Sequence, residues 1–307
     1  MSRKIQIVEV GPRDGLQAEA AVLPVDDRIE LIHRLEACGV ARIEAASFVN
    51  PKRVPQMAGA EEIMAALPHE PGRSRIGLVL NLKGWERLKA AGCDEANVVV
   101  SATDSFGLRN QGSTTAEQVA VLQAIAEDRA SHGGPPISLT LSVAFGCPYE
   151  GEVALDRVVG IVRDAAQAGL AEIALADTIG AADPWAVRQR LAAAREAAPQ
   201  ARLRAHFHDT RNTGLANAAA AIDAGVQALD ASCGGIGGCP FAPGATGNVA
   251  TEDLVYMLER GGFETGLDLS GLIETAGWIS ERLGRPAGSA LARAGRFPRP
   301  RPEDRAA

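Results

Sequence analysis

The sequence lacks any apolar run long enough to cross a membrane. No stretch approaches the roughly 18 consecutive apolar residues that a transmembrane helix needs. The opening residues, MSRKIQIVEV, enter a strand-like run directly, without the apolar core of a secretory signal or the Arg- and Ser-rich composition of a transit segment. These absences predict a soluble cytoplasmic protein that has no membrane partner.

Paired cysteines are also missing. The chain has five cysteines, an odd number without a CxxC pair, at Cys38, Cys93, Cys147, Cys233 and Cys239. In a chain with no secretory signal, this pattern is typical of reduced thiols in a cytosol.

The sequence has no excess of basic residues. It carries 31 Lys and Arg against 38 Asp and Glu, a formal net charge of -7 at pH 7. Electrostatic binding of nucleic acid or anionic lipid needs clustered positive charge, so this balance argues against both. With 307 residues, 46% of them hydrophobic, the chain can bury an ample core, and a small molecule is the expected partner.

Several sequence motifs that would identify a reaction are absent. There is no P-loop, no HExxH, no GxSxG and no GxGxxG after the first strand, which disfavours nucleotide-driven and serine hydrolase chemistry. The only lysines are Lys4, Lys52, Lys83 and Lys89. None falls inside a predicted strand, where a Schiff-base lysine of an aldolase would lie, so a metal-assisted reaction is preferred.

What the sequence does contain is a regular alternation of strands and helices. Eight β-rich runs are predicted at residues 5–10, 41–46, 75–81, 96–102, 137–145, 172–177, 203–209 and 227–232. Segments of helical period separate them, and several end in glycine. Eight such units in about 260 residues predict an α/β fold, a closed (β/α)8 TIM barrel with parallel strands, more than a doubly wound open sheet.

The barrel is predicted to be one catalytic domain over residues 1–285. Residues 266–284 are expected to form an extra helix after the barrel. Residues 286–307, which are rich in Pro and Arg, are expected to form a mobile tail.

Polar residues close most of the predicted strands. Since the active site of such a barrel lies at the carboxyl ends of its strands, these residues are the candidates for function. They are Arg13, Asp14 and Gln17 after strand 1, Glu44 and Ser47 at strand 2, Asn81, Ser101, the segment GCPYEG after strand 5, Asp177 and Thr178 at strand 6, and His206 and His208 at strand 7.

Two of the five histidines share one face of strand 7. Residues i and i+2 of a strand project to the same side, so His206 and His208 can present their imidazoles to one point, while Asp209 points away. Both rings could simply fill the barrel interior. With Asp14, at the end of a strand expected to adjoin, they instead suit a catalytic site for Mg2+, Mn2+ or a similar divalent ion.

Arg13 needs a nearby anion, because an unpaired buried cation is costly. Glu44 on the next strand is the candidate. The pair is either a structural ion pair in the barrel mouth or an arginine held over developing negative charge, and both roles can hold together.

A glycine-rich segment, GGIGGCPFAPGATGN, follows strand 8 at residues 234–248. Its composition predicts a shaped loop over the site. Cys239 lies between Gly238 and Pro240, which places it off any packing element. It is either a buried core residue or, as the flanking residues favour, a mobile acid or nucleophile. Asn248 ends the loop, where its amide oxygen could join the metal.

Seven motifs together resemble those of 3-hydroxy-3-methylglutaryl-CoA lyases, in the barrel superfamily that also holds isopropylmalate synthases. They are VEVGPRDGLQ (8–17), IEAASFVNPKRVPQM (43–57), NLKG (81–84), GCPYEG (146–151), ADTIG (176–180), HFHDT (206–210) and GGCPFAPGATGNVATEDLVYML (237–258). The glycine loop bearing Cys239 separates these lyases from the related condensing enzymes.

The resemblance implies a role for each matching residue. It implies Asp14, His206, His208 and Asn248 as metal ligands, Arg13 as the group that stabilises a thioester enolate, Cys239 as the acid that protonates it, and Glu44 as the partner of Arg13 or of the metal. Gln17, Ser47, Asp177 and Thr178 are further candidates for contacts with the substrate. The products would be acetoacetate and acetyl-CoA, with a place in leucine degradation, and a homodimer or other homo-oligomer is expected by analogy.

Two segments depart from the pattern of these lyases. After HDT the chain reads RNTGLAN (211–217) instead of Tyr-Gly-Gln-Ala-Leu-Ala-Asn, and after strand 4 it reads SATDSFGLRNQGS (101–113) instead of a basic Asn-Ile-Asn stretch. Both lie at the expected barrel mouth, so a larger or differently charged 3-hydroxy-3-substituted acyl-CoA is an alternative substrate. An acyl-CoA condensing synthase and a catalytically silent barrel that binds a CoA ester are the competing functions.

Overall fold

The computed structural model describes residues 3–238 and 247–297, and its centre is a closed barrel of eight parallel strands. Each strand pairs with the next along the chain, and β1 pairs with β8 with Gln6 opposite Ala228 to close the circle. The strands are β1 (Gln6–Glu9), β2 (Arg42–Ser47), β3 (Ser74–Val79), β4 (Glu95–Ser101), β5 (Ile137–Ser142), β6 (Glu172–Asp177), β7 (Arg202–Phe207) and β8 (Ala228–Ala231). The predicted (β/α)8 barrel is confirmed.

Helices follow the strands and cover the outside of the barrel. They are α1 (Val25–Ala37), α2 (Ala60–Ala66), α3 (Leu82–Ala91), α4 (Asp104–Asn110), α5 (Thr115–His132), α6 (Leu155–Ala166), α7 (Pro184–Ala197), α8 (Gly214–Asp223), α9 (Thr251–Arg260), α10 (Leu269–Leu283) and α11 (Leu291–Ala294). A two-residue parallel pair, Arg3–Lys4 with Phe263–Glu264, lies outside the barrel. No helix in these described stretches is long and apolar enough to cross a membrane.

Local sequence signals explain where several helices begin and end. The side chain of Thr114 accepts a hydrogen bond from Glu117 N, and the Glu117 carboxylate accepts one from Thr114 N. This capping box starts α5. Gly92 and Gly284 end α3 and α10 in the left-handed conformation, with φ of 74° and 65°. The predicted extra helix at 266–284 is α10, which begins slightly later because Asp268 caps it.

The main apolar core lies between the strands and the helices. Strand side chains that point outward pack against the inner faces of the helices. On the helices, Leu31, Trp85 and Leu191 are fully buried in this layer. Because both faces of every strand are covered, the strands read as nearly continuous apolar runs. This layer makes the barrel a rigid support for the residues at its mouth.

The barrel interior, by contrast, contains a cluster of buried charges. The guanidinium of Arg42 donates to Glu95 at 2.5 and 3.0 Å and to Glu172 at 2.8 and 2.9 Å. Arg204 Nε lies 3.0 Å from Glu172 Oε1, and Arg204 Nη1 donates to Asp230 at 3.2 Å. Barrel interiors are usually filled by branched apolar side chains, so this cluster requires a reason beyond packing.

The beginning of the segment expected to be a mobile tail is attached to the barrel. The carboxylate of Asp253 on α9 accepts hydrogen bonds from Ser289 Oγ, from Ala290 N and from Leu291 N, at 2.8 to 3.0 Å. Leu291 is buried against the core. Residues 289–294 are therefore held on α9, while residues 298–307 lie outside the described part of the chain.

We predict that Asp253→Asn loosens this attachment. A charged acceptor contributes about 1.5–3 kcal/mol per hydrogen bond, and about 1.4 kcal/mol corresponds to a tenfold change in population. Limited trypsin digestion at Arg293 should therefore be at least about tenfold faster, with the circular dichroism of the barrel unchanged. Asp156→Asn, at an exposed acid in the first turn of α6, is the matched control and should cut at the wild-type rate. Equal rates for Asp253→Asn and wild type would contradict the prediction.

Candidate active site

A short helical turn at the carboxyl end of β1 carries the first two candidate residues. Residues Gly11–Gly15 form one π-helical turn that contains Arg13 and Asp14. Glu9 holds this turn, because its carboxylate accepts hydrogen bonds from Gly11 N at 2.8 Å and from Cys233 N at 2.9 Å. The turn is thereby fixed to the chain that leaves β8.

The guanidinium of Arg13 is shared by two carboxylates. Its Nε and Nη2 donate to Glu44 Oε2 at 2.8 and 2.6 Å, and its Nη1 donates to Asp14 Oδ1 at 2.8 Å. The predicted pairing of Arg13 with Glu44 is confirmed. A guanidinium has five N–H groups, so these three bonds leave two that can donate to a substrate.

The two histidines of strand 7 project to the same side, as predicted. Their ring centroids are 5.2 Å apart, and Nε2 of each ring lies 3.9 Å from Asp14 Oδ2. One ligand atom from each of Asp14, His206 and His208 can be chosen so that all lie within 4.8 Å of one another. Two atoms that each lie about 2.1 Å from one ion are about 3 to 4 Å apart, so the spacing fits a single metal.

The expectation that the strand of Asp14 adjoins the histidine strand is wrong. β8 lies between β1 and β7 in the barrel. Asp14 still reaches His206 and His208 because it lies on a turn beyond the end of β1, and the mouth of an eight-stranded barrel is only a few side chains wide.

Asn248 supplies an unused acceptor at the same point. Its Nδ2 donates to Asp14 Oδ2 at 2.9 Å and to Ile236 O at 3.1 Å, whereas its buried Oδ1 has no hydrogen-bond partner among the described residues. A buried oxygen without a donor is costly, and a cation would satisfy it. Two imidazoles, one carboxylate and one amide oxygen suit a divalent ion with open positions.

The charges around the site would also be balanced by a divalent cation. Hydrogen bonds and ion pairs connect the interior cluster through Thr140, Asn97 and Glu44 to Arg13. The connected groups are the arginines Arg13, Arg42 and Arg204 and the carboxylates Asp14, Glu44, Glu95, Glu172 and Asp230. Three positive charges against five negative ones leave an excess of two negative charges, which one divalent ion would neutralise.

The surroundings favour the metal-binding forms of Asp14 and His208, whereas protons compete with a metal at His206. Burial raises the pKa of Asp14, but the Arg13 guanidinium and the two imidazoles outweigh it and hold the pKa well below its usual range. Burial lowers the pKa of His208 to about 4, so this ring is neutral at pH 7. Burial also lowers the pKa of His206, but its hydrogen bond to Asp230 and the charge of Asp14 outweigh this, and the net pKa is raised.

Of the remaining predicted substrate residues, the structure brings some into the site and leaves others outside it. Gln17 and Thr178 line the cavity that opens over Asp14. Ser47 is fully buried, and the carboxylate of Asp177 is occupied by the backbone N–H groups of Ala181 and Ala182 at 2.8 and 3.0 Å. Neither of these two lines the cavity: Asp177 holds the turn after β6, and the buried hydroxyl of Ser47 has no hydrogen-bond partner among the described residues. Cys239 lies outside the described residues.

The cavity itself has a volume of about 290 Å³ and mixes apolar and amide side chains. Its lining includes Val54, Leu78, Leu80, Val99, Phe106, Asn81, Asn97, Asn110, Gln111 and Gly238. Phe106, Asn110 and Gln111 belong to the divergent segment 101–113, so that departure shapes the cavity wall. Arg211, in the other divergent segment, donates to Ile179 O and Gly180 O and so holds the turn that follows β6.

Two polar residues of the barrel interior, Arg204 and Asp230, were not among the predicted site residues. Arg204 has the same parity on β7 as the two histidines, and Asp230 is an acid inside an otherwise apolar strand. Both signals were present in the sequence. Extending the i, i+2 pattern one step towards the amino end of strand 7 finds Arg204, and the lone acid in the apolar strand 8 indicates Asp230.

Comparison with known proteins places these features in context. A family model described as HMGL-like matches residues 4–279. A hydroxymethylglutaryl-CoA lyase of Bacillus subtilis is 39% identical over 284 residues, which cover 92% of this chain and 95% of that protein. An (R)-citramalyl-CoA lyase of Chloroflexus aurantiacus is 43% identical over 302 residues, 95% of each chain. The structure of an HMG-CoA lyase from Acinetobacter baumannii, in complex with coenzyme A and 3-methylmalate, has a TM-score of 0.91 at 39% identity and covers 97% of this chain and 98% of that one.

We predict that metal binding weakens as the pH falls. A histidine must be neutral to bind a metal, and the raised pKa of His206 means that protons compete below that value, by up to about tenfold per pH unit. The dissociation constant for Mn2+, followed by the electron paramagnetic resonance signal of the free ion, should be several-fold larger at pH 6 than at pH 8. An affinity that does not change between these values would contradict the raised pKa of His206.

Proposed function

The chain belongs to the HMGL-like family, and on that premise we propose that it is a divalent-metal-dependent carbon–carbon lyase. Its substrate is 3-hydroxy-3-methylglutaryl-CoA or a close 3-hydroxy-3-substituted acyl-CoA, and its products are acetyl-CoA and acetoacetate or the related ketone. The observation that carries the proposal is the cluster of Asp14, His206 and His208 beside the shared guanidinium of Arg13, at the bottom of a cavity. With the methylglutaryl substrate, the enzyme acts in leucine degradation.

The proposed metal is Mg2+ or Mn2+, held by Asp14, His206, His208 and Asn248. Oxygen-rich sets that include carboxylate and amide donors suit these ions. When bound, the ion acts as a Lewis acid towards the substrate oxygens and lowers the pKa of the tertiary hydroxyl. His206 contributes to catalysis as a ligand on a rigid strand.

The bond that breaks is the one between C2 and C3 of the acyl chain. The hydroxyl on C3 gives its proton to water, its oxygen becomes the carbonyl oxygen of the ketone, the C2–C3 bond breaks, and the electron pair of that bond stays on C2 to give a thioester enolate. Arg13 is proposed to stabilise the enolate oxygen through its two unused N–H groups, and Glu44 fixes the guanidinium in that orientation.

A proton must then reach C2 to release acetyl-CoA. Cys239 is the proposed donor, because it follows Gly238 directly in the sequence and Gly238 lines the cavity. Gln17 and Thr178, also in the lining, are proposed contacts for the acyl group. Ser47 and Asp177 are proposed to act indirectly, by shaping the strand and turn that carry these contacts.

The acyl group is the finer part of the proposal. The relatives include a hydroxymethylglutaryl-CoA lyase and a citramalyl-CoA lyase at similar identity. Both names describe acyl-CoA lyases whose acyl groups carry one free carboxylate, but the acyl chains differ in length. We propose that the cavity wall formed by Phe106, Asn110 and Gln111 determines which acyl group binds.

We predict that the purified protein releases acetyl-CoA from 3-hydroxy-3-methylglutaryl-CoA or from citramalyl-CoA in a reaction that needs Mg2+ or Mn2+ and stops with a chelator. Arg13→Lys keeps the charge but loses the fork that binds Glu44, and should lower kcat about 10²–10³-fold. Cys239→Ala should lower it about 10²–10⁴-fold through loss of the acid. A coupled assay for acetyl-CoA measures each rate.

Cys93→Ala is the matched thiol control, because Cys93 is buried in the main core away from the cavity. Its activity should be close to that of wild type. Metal-dependent condensation of an acyl-CoA with a 2-oxo acid, without cleavage, would favour the synthase instead. Metal binding without either reaction would favour a silent barrel that binds a CoA ester.

A further inference from the structure

We propose that Asp230, which lines the inner wall of the cavity, and Arg204, which is buried behind it, form a positioning pair that orients the imidazole of His206 towards the metal. The inference deepens the proposed function and rests on its metal site. It assigns to two residues of the barrel interior a role that the ligands themselves cannot supply, which is to fix the orientation and tautomer of one ring.

The first step is the contact between Asp230 and His206. His206 Nδ1 lies 3.1 Å from Asp230 Oδ2, and both side chains are buried. A carboxylate at this position accepts the hydrogen on Nδ1, which leaves the lone pair on Nε2. Nε2 is the nitrogen that faces Asp14, at 3.9 Å from Oδ2. The hydrogen bond therefore points the basic nitrogen towards the metal site.

The second step is the support of Asp230 from below. Its other oxygen, Oδ1, accepts from Arg204 Nη1 at 3.2 Å. Arg204 is completely buried and is itself held by Glu172 at 3.0 Å and by Thr140 Oγ1 at 3.3 Å. Asp230 is therefore bonded at both carboxylate oxygens, to Arg204 at Oδ1 and to His206 at Oδ2, and cannot rotate freely.

The third step is the contrast with the second histidine. Nδ1 of His208 is buried and has no hydrogen-bond partner among the described residues. Among the described residues, the carboxylate on the side away from Asp14 belongs to His206 alone. This asymmetry supports a pair directed to one ligand over a polar interior that treats both histidines alike.

The charge balance of the interior cluster gives the last step. Arg42 and Arg204 are already balanced by Glu95 and Glu172, so the cluster does not need Asp230 for neutrality. Asp230 adds a negative charge at the end of the cluster nearest the metal site. The cluster does not need the charge of Asp230, and this charge lies against His206. Such a placement is expected if Asp230 acts on that metal ligand.

The test measures metal binding directly. Asp230→Asn keeps the size of the side chain and removes its charge, and should weaken Mn2+ binding by at least about tenfold in an electron paramagnetic resonance titration. Its cleavage rate should recover towards that of wild type as Mn2+ is raised, which a general loss of structure would not allow. Asp209→Asn, one residue from His208 with its carboxylate on Gly214 N, is the control and should bind Mn2+ like wild type.

Two further measurements cover the case in which Asp230→Asn does not fold because Arg204 is left unpaired. The double variant Arg204→Met, Asp230→Asn removes both charges together and should show the same loss of Mn2+ affinity. In the wild type loaded with Mg2+, nitrogen-15 NMR of the five histidines should find the proton of His206 on Nδ1. A proton on Nε2, or wild-type Mn2+ affinity in either folded variant, would overturn the inference.

These results are separable from the fate of the proposed function. A wild type that binds Mn2+ but cleaves neither acyl-CoA refutes the lyase and leaves the positioning pair standing. A wild type that binds no Mn2+ refutes the metal site and the pair with it.

Discussion

The sharing of Arg13 between Glu44 and Asp14 is the contact on which the rest of the site depends. One guanidinium joins a carboxylate of β2 to the candidate metal ligand on the turn after β1. Taking these charges out of water is expensive, and a buried ion pair seldom repays its full desolvation cost. The cost is met by the surrounding network, in which Asn97 donates to Glu44 and Thr140 donates to Asn97. The connected groups carry an excess of two negative charges, which the proposed divalent ion would neutralise.

Much of this arrangement could be predicted from the sequence because strand geometry has a period of two. His206 and His208 had to share a face, and Arg13 had to find an anion on a neighbouring strand. The sequence alone could not predict how far Asp14 lies from the two histidines across the barrel mouth. Asp14 meets the histidines although β8 separates their strands, since the turn at Gly11–Gly15 carries it past the strand end. Local pattern predicts strand faces well, but the path of a turn depends on contacts such as that of Glu9 with Cys233 N, which lie far apart in sequence.

The same reasoning explains why Asp177 and Ser47 were harder to interpret. Both follow the pattern of a polar residue at a strand end, yet Asp177 uses its carboxylate to hold a backbone turn. Thr178, the next residue, lines the cavity and also accepts from Val143 N at 2.8 Å, where Val143 has a φ of 50° that is unusual for a β-branched residue. A polar residue at a barrel mouth therefore serves the backbone, the substrate or both, and only its contacts decide which.

The chain after the barrel contributes to the site through the turn that precedes Cys239. Gly237 N donates to Glu19 Oε1 at 3.3 Å, and Glu19 is also bound by the guanidinium of Arg285. Gly288 N donates to Gly234 O at 2.9 Å, and this second contact holds the same turn from the other side. These two contacts fix the backbone at Gly234 and Gly237, just before the described part of the chain pauses at Gly238. The segment after α10 therefore does more than cover the barrel, because it sets where the chain enters the glycine loop.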